Sequence, residues 1–231
     1  MLLYDYKNSD AQAAGLAALV SMQLSDAIDS KGKASLAVPG GRTPGIFMQQ
    51  LSRKVLPWDK VCVTLTDERL VPETHERSNT RLLKQVLLKN NASQAKFVPL
   101  YDPAVSDNFD MNLMNANVAL ERMYPLDICV LGMGEDGHIA SLFPKGDQLD
   151  IGLDPEYSDL VIAMKAPNAP EPRLTLTARA ILSASEIHLL IQGVEKMAVL
   201  RAAQMPGSAQ DLPVRLLLQH ADHRLNVHFS P

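Results

Sequence analysis

Cysteine is scarce in this chain, with only Cys62 and Cys129 among 231 residues. Both lie in apolar, β-like runs, Val61-Cys62-Val63 and Ile128-Cys129-Val130, and read as buried, inert thiols. No C-x-x-C pair exists, which excludes a zinc knuckle and a dithiol redox motif. Long hydrophobic runs are missing too. No segment approaches the length of a membrane span, and Met1-Leu2-Leu3-Tyr4-Asp5 has no basic stretch leading into a long apolar one. The expectation is a cytoplasmic protein with no membrane partner. Positive charge is not in excess either: 22 Lys and Arg stand against 26 Asp and Glu, for a net charge of −4. That balance carries no electrostatic footprint for nucleic acid. It leaves room for an anionic substrate, because a few local arginines can hold a phosphate against an acidic average. Internal repeats, low-complexity tracts and a convincing linker are also absent.

What is present is a regular alternation of helix and strand signals. Ser9 or Asp10 can cap a helix running to about Ser30, with Leu16, Leu19, Val20, Leu24 and Ile28 on one stripe and Gly32 as the glycine beyond its end. Ala34 to Val38 is a short strand ending at Pro39-Gly40-Gly41. Thr43 then reads as the N-cap of a second helix and Pro44 as its first residue. Val61 to Thr66 is the next strand, Ser78 caps a helix through Leu88, and a further helix covers about Asp107 to Arg122. Strand signals follow at Asp127 to Leu131, Leu160 to Met164 and Ile187 to Ile191, and then a helix from Val194 to Ala203. Short apolar strands with helices between them predict an α/β fold with a parallel, two-sided sheet. The prolines between Pro167 and Pro172 read as a loop over the site.

Chemistry gathers where strands end. Pro39-Gly40-Gly41-Arg42-Thr43-Pro44 offers glycines that let backbone approach a ligand, a helix start with free N–H groups, and a guanidinium suited to phosphate. A plain strand-to-helix turn with a surface arginine would have the same sequence. Thr66-Asp67-Glu68-Arg69 puts acids at a strand's carboxyl end, where they can orient a base or bind a hydroxyl. A solvated Asp–Arg pair is the plainer alternative. His75 reads as a surface histidine. Pro172-Arg173-Leu174-Thr175-Leu176-Thr177 adds another arginine and two hydroxyls. Lys196 falls in the first turn of a helix, after Gly193, where a cation opposes the helix dipole. Such local conflicts are expected at functional sites.

The richest segment is Leu131-Gly132-Met133-Gly134-Glu135-Asp136-Gly137-His138-Ile139-Ala140-Ser141-Leu142-Phe143-Pro144. Gly132-x-Gly134-x-x-Gly137 matches the dinucleotide fingerprint literally, and Asp154 and Glu156 follow where a ribose-binding acid is expected. The context fails, because Pro144 arrives seven residues after Gly137 and leaves at most a short helical turn. The better reading makes His138 a general acid or base, with Asp136 orienting its ring. Glycine on each side is read as room for a substrate.

Taken together these segments resemble the 6-phosphogluconolactonase family, within a wider group that includes the glucosamine-6-phosphate deaminases. The matching pieces are Val38 to Pro44, Thr66 to Pro72, Glu76-Arg77-Ser78-Asn79, Gly132 to Pro144, Pro172 to Thr177 and Gly193-Val194-Glu195-Lys196. They cover about Ala34 to Leu200, and Met205-Pro206-Gly207-Ser208 gives no clear match to the family's C-terminal Pro-Ala-Ser-type segment. The resemblance implies a single domain over residues 1–231, Rossmann-like, with a mostly parallel sheet and helices on both faces. It implies hydrolysis of 6-phospho-D-glucono-1,5-lactone to 6-phosphogluconate in the oxidative pentose phosphate pathway, with no cofactor and no metal. The partner is then a small phosphosugar lactone, and the state a monomer or small homo-oligomer. Carried over residue by residue, Gly41, Arg42, Thr43, Arg173 and Lys196 look like the phosphate pocket. Asp67, Arg69, Asp136 and His138 look like the reacting end.

Two other readings compete. A glucosamine-6-phosphate deaminase or sugar-phosphate isomerase would carry a glutamate five residues after the histidine, where this chain has Phe143. A non-catalytic sugar-phosphate sensor would keep Arg42, Arg173 and Lys196 without needing His138. In the lactonase reading His138 takes a proton from water, Arg69 or nearby N–H groups stabilise the oxyanion, and Asp136 or Asp67 holds the imidazole.

Overall fold

The computed structural model describes residues 1–102, 105, 108–166 and 170–231. Half of the expected loop over the site, residues 167–169, lies outside the described residues, as does Asp107 at the expected start of a helix.

The chain opens with strand β1 (Leu2–Asp5) and helix α1 (Ser9–Lys31). The cap of α1 is Asn8, one residue earlier than expected, whose side chain accepts from the Ala11 N–H. Gly32 ends the helix in the left-handed region, as its position suggested. Strand β2 (Ala34–Val38) leads into α2 (Arg42–Leu51). Thr43 does not cap α2. Gly41 at φ 104° takes that position without a side-chain bond, and the Thr43 hydroxyl instead donates to Gln192. Strand β3 (Val61–Leu65) is followed at once by β4 (Asp67–Arg69), which the sequence reading treated as a turn. Ser78 caps α3 (Asn79–Val86) as expected, accepting from the Arg81 N–H.

After β5 (Lys96–Phe97) comes α4 (Phe109–Glu121), capped by Asn108. Strand β6 (Ile128–Gly132) runs into the glycine–histidine segment, which contains no helix. Beyond it lie α5 (Leu149–Gly152), β7 (Val161–Met164), β8 (Arg173–Leu176) and α6 (Ala178–Leu182). The last elements are β9 (Glu186–Gln192), α7 (Val194–Ala203), α8 (Arg215–His220) and β10 (Leu225–Ser230).

Seven strands form one parallel sheet in the order β1-β10-β9-β6-β2-β3-β5. Every residue of β2 and the first four of β6 are buried. Successive side chains point to opposite faces, so both faces of the central sheet are covered. The lone acid of the β6 run, Asp127, is reconciled with burial by Lys31 at 2.5 Å and by the N–H and hydroxyl of Ser35. From β2 the chain builds outward first through β3 and β5, then on the other side through β6, β9 and β10. That reversal leaves a crevice at the carboxyl ends of β2 and β6, the usual ligand position in an open α/β sheet. A second, antiparallel sheet, β4-β8-β7, stands beside it. The strand expected at Leu160 to Met164 belongs to this sheet.

On the far side of the main sheet, β9 and β10 carry a buried hydrogen-bond chain. The Tyr6 hydroxyl lies 3.0 Å from His228 Nδ1, His228 Nε2 lies 3.0 Å from His188 Nδ1, and His188 Nε2 lies 2.8 Å from Gln23 Oε1. Gln23 Oε1 can only accept, so both rings carry their proton on Nε2 and are neutral. Burial pushes His188 down to about 3 and His228 to about 4. The unfolded chain binds these protons below about pH 6.5 while the folded chain refuses them, so stability falls as pH falls from there towards pH 4. The expected loss is on the order of 2–3 kcal/mol per histidine by about pH 4.5. Denaturant midpoints measured from pH 7 to 4.5 check this, and the acid slope should flatten in His228→Gln.

Candidate active site

Three strand ends of the main sheet and two strands of the second sheet converge on one open cavity of about 330 Å³. It takes residues from the loops after β2, β6 and β9 and from strands β4 and β8 of the antiparallel sheet. Its volume suits a single sugar-phosphate-sized ligand. Eight of the nine residues singled out from the sequence line it: Gly41, Arg42, Thr43, Asp67, Arg69, His138, Arg173 and Lys196. The ninth, Asp136, stands behind His138.

One wall is built from two helix starts. α2 and α7 each follow a glycine at positive φ, Gly41 at 104° and Gly193 at 91°, and neither helix has a side-chain cap. Their first-turn N–H groups are therefore free for a ligand. Each carries a cation in that turn, Arg42 and Lys196, and among the described residues neither has an ion-pair partner. Thr43 Oγ1 donates to Gln192 Oε1 at 3.2 Å and ties the two loops together. Two uncapped N-termini and two cations without an ion-pair partner thus face one cavity, an arrangement that can hold an anion.

The other wall holds a histidine–carboxylate pair. His138 Nδ1 lies 2.5 Å from Asp136 Oδ1, and the His138 N–H also donates to that oxygen. The hydrogen bond from His138 holds the Asp136 carboxyl below the usual carboxylate value, against the opposing effect of partial burial. With Nδ1 committed to Asp136, the lone pair of a neutral ring sits on Nε2. Among the described residues Nε2 has no partner. Gly134 is what lets the ring lie back, because a Cβ there would fall 2.2 Å from the imidazole and 2.6 Å from Asp136 Oδ1. The space expected for a substrate is filled instead by the imidazole and the Asp136 carboxylate.

Asp67 does not partner His138. Its carboxylate accepts from Ser141 Oγ at 2.6 Å and faces Arg173 Nη1 at 3.6 Å, deep in the wall. Arg69 and Arg173 stand directly opposite one another across β4 and β8, a like-charge pair that costs stability without an anion between them. Burial pushes the Arg173 guanidinium down, with Asp67 opposing and Arg69 adding to the effect. The Nε atoms of both arginines are buried without a partner. Buried N–H donors left open in this way await an acceptor. Glu68 is structural. It accepts from the N–H groups of Asn79 and Thr80 and seats the start of α3. Thr177 caps α6 and Thr175 accepts from Ser141 N, so neither hydroxyl serves the cavity. His75 is exposed, as expected.

Two further residues, neither of them among the site residues expected from the sequence, pack at the site. Asn79 lines the cavity, donates to the Asp67 carbonyl, and fills the space that a Cβ on Gly40 would take, 2.0 Å from Asn79 Oδ1. The paired glycines were the available signal for this close approach. Phe143 lies between the His138 ring, tilted at 41° with centroids 4.3 Å apart, and the Arg173 guanidinium, 5.0 Å from its ring. Among the described residues no group of three or more His, Cys, Asp or Glu is placed to hold a metal ion, and no helix is long and apolar enough to cross a membrane.

The chain resembles known proteins along nearly its whole length. The family model described as glucosamine-6-phosphate isomerases/6-phosphogluconolactonase matches residues 7–226. The likeness thus runs on well past Leu200, where the motifs read from the sequence stopped. A 6-phosphogluconolactonase of Rhizobium meliloti (strain 1021) is 43% identical over 229 residues, 99% of this chain and 98% of that protein. The crystal structure of a putative 6-phosphogluconolactonase from Neisseria gonorrhoeae FA 1090 superposes with a TM-score of 0.92 at 36% identity, covering 100% of both chains. A monomeric glucosamine-6-phosphate deaminase shares the fold at a TM-score of 0.79 and 20% identity, over 100% of this chain and 97% of its own.

Proposed function

The chain belongs to the glucosamine-6-phosphate isomerase/6-phosphogluconolactonase family, and from that premise we propose how it hydrolyses 6-phospho-D-glucono-1,5-lactone to 6-phosphogluconate. The observation that carries the reading is the His138–Asp136 pair, with a free Nε2, across the cavity from two uncompensated cations at helix starts. Water, activated by proton transfer to His138 Nε2, attacks the lactone carbonyl carbon. Asp136 stabilises the imidazolium that forms. The bond from that carbon to the ring oxygen then breaks, and His138 returns the proton to the departing oxygen. The charge on the carbonyl oxygen is met by open N–H donors, of which Arg69 is the nearest in character.

Arg42 and Lys196, with the first turns of α2 and α7 and the N–H groups at Gly41 and Thr43, take the phosphate. Arg173 keeps the wall in place through Asp67 and lends its open Nε to the same ligand. Binding the remote phosphate positions the carbonyl, so removing it costs orientation as well as affinity.

The deaminase alternative asks for a carboxylate where Phe143 stands. A phenyl ring moves no protons, and here it packs on the imidazole. The sensor alternative leaves the Asp136–His138 bond without a purpose. We also read the enzyme as cytoplasmic. Cys62 and Cys129 are both free thiols; Cys129 is buried as expected and burial pushes it up to about 12, which supports an inert Cys129 in a reducing compartment, whereas Cys62 is only partly buried.

The direct test is acid release from 6-phosphogluconolactone at constant pH, corrected for spontaneous opening. The expected result is turnover well above the uncatalysed rate, with no ammonia released from glucosamine 6-phosphate. Release of ammonia, or no acceleration of lactone opening, would overturn the reading.

A further inference from the structure

The segment that follows α7 has no part in the chemistry above, yet it sits directly under the catalytic turn. The Val214 N–H donates to the Gly137 carbonyl at 2.9 Å. Leu212 packs on Gly137 so closely that a Cβ there would lie 2.8 Å from Leu212 Cδ2 and 3.3 Å from its Cα. Gly137 itself holds φ +76° and closes the turn through its N–H to the Gly134 carbonyl, with Gly134 N bonding back to the His138 carbonyl. The position of the His138 backbone is therefore set in part by Leu212 and Val214.

What holds those two residues is a buried arginine. Arg215 is 8% exposed, and among the described residues no carboxylate lies within ion-pair distance. Its charge is met by carbonyls alone. Nε donates to Ala203 O at 3.3 Å, Nη2 to Ala202 O at 3.3 Å and Nη1 to Ser208 O at 3.0 Å. Ala202 and Ala203 end α7, so the guanidinium caps the negative end of the helix whose first turn carries Lys196. Gly207 leaves the space, since a Cβ there would lie 2.4 Å from Arg215 Nη1. Burying a cation without a counter-ion is expensive. A leucine would fill a purely structural role at lower cost. The planar fork, by contrast, binds three carbonyls from two segments at once.

We propose that Arg215 is a positioning residue for His138, fixing the 204–214 segment so that the catalytic turn stays in register with the helix that bears Lys196. This rests on His138 being the base. The tests are steady-state lactone hydrolysis and the ¹⁵N NMR signals of the His138 imidazole, in Arg215→Met and in the parent enzyme. The expected result is a kcat lower by about tenfold to a hundredfold with KM within about threefold, because the substrate still binds while the base is misplaced. The His138 Nδ1 signal should move away from its hydrogen-bonded position, and Arg215→Lys should recover part of both changes. A folded Arg215→Met enzyme with parental kcat and parental imidazole signals would overturn the proposal, as would a loss confined to KM. Should Arg215→Met fail to fold, Leu212→Ala replaces it. Leu212 is half-buried and uncharged, and the same two readouts and outcomes apply. The NMR signal does not depend on turnover. A moved signal would therefore support the positioning role even if His138→Ala remained active and the base assignment fell.

Discussion

Replacing His138 with alanine should lower lactone turnover by about a hundred- to ten-thousandfold, or about 3 to 5 kcal/mol in the barrier, with KM little changed. The split follows from the geometry. His138 faces the cavity, and its Nδ1 is fully engaged by Asp136 at 2.5 Å. The alanine variant therefore removes Nε2 as a proton acceptor and leaves the helix starts of α2 and α7 intact. The proposed phosphate pocket rests on those helix starts. The measurement is initial rates on 6-phosphogluconolactone corrected for spontaneous opening, because the lactone opens unaided and a residual rate could otherwise pass for activity. Turnover near that of the parent enzyme would remove His138 from the mechanism. A matching rise in KM would instead place the ring in substrate binding.

A single methyl group on Gly134 should do almost as much damage. Its Cβ would lie 2.2 Å from His138 Cε1 and Nδ1 and 2.6 Å from Asp136 Oδ1, well inside contact distance. The backbone at Gly134 is not among the positive-φ positions, so alanine is locally tolerated and the fold should survive. The imidazole is the movable partner, and it must swing off Asp136. Gly134→Ala should therefore cost about a hundredfold in kcat, as misplacement of a base by about 1 Å does, with a thermal midpoint close to that of the parent enzyme. Circular dichroism and lactone kinetics on the same preparation check both halves. A fully active Gly134→Ala enzyme would mean that the Asp136–His138 bond is dispensable.

Parts of this architecture were legible without coordinates because they are local. β2 and α7 end where the apolar periodicity and the flanking glycines say they should, and Ser78 caps α3 through a bond to a residue three positions on. Local signals erred by small amounts where two capping residues compete. Asn8 was preferred to Ser9 or Asp10, and Gly41 to Thr43, whose hydroxyl had a better partner in Gln192, 149 residues away. The strands β4 and β8 were illegible for a different reason. Asp67-Glu68-Arg69 has no strand periodicity of its own, and it becomes a strand only because Arg173–Leu176 pairs with it from more than a hundred residues away.

The site divides in the same way. The chain by itself picked out the residue types proposed for the chemistry, since an Asp and a His two apart among glycines, and cations beside glycine-led helix starts, are patterns of neighbouring residues. Tertiary structure decided the partners among them. It gave the imidazole to Asp136 and assigned Asp67 to Ser141 and Arg173. It set Arg69 against Arg173, slotted Asn79 over Gly40, and brought Leu212 and Val214 under Gly137. Backbone geometry and capping are settled within a few residues, so sequence order carries them. A charge's partner depends on which strand ends the sheet order brings together, and only the packed chain holds that information.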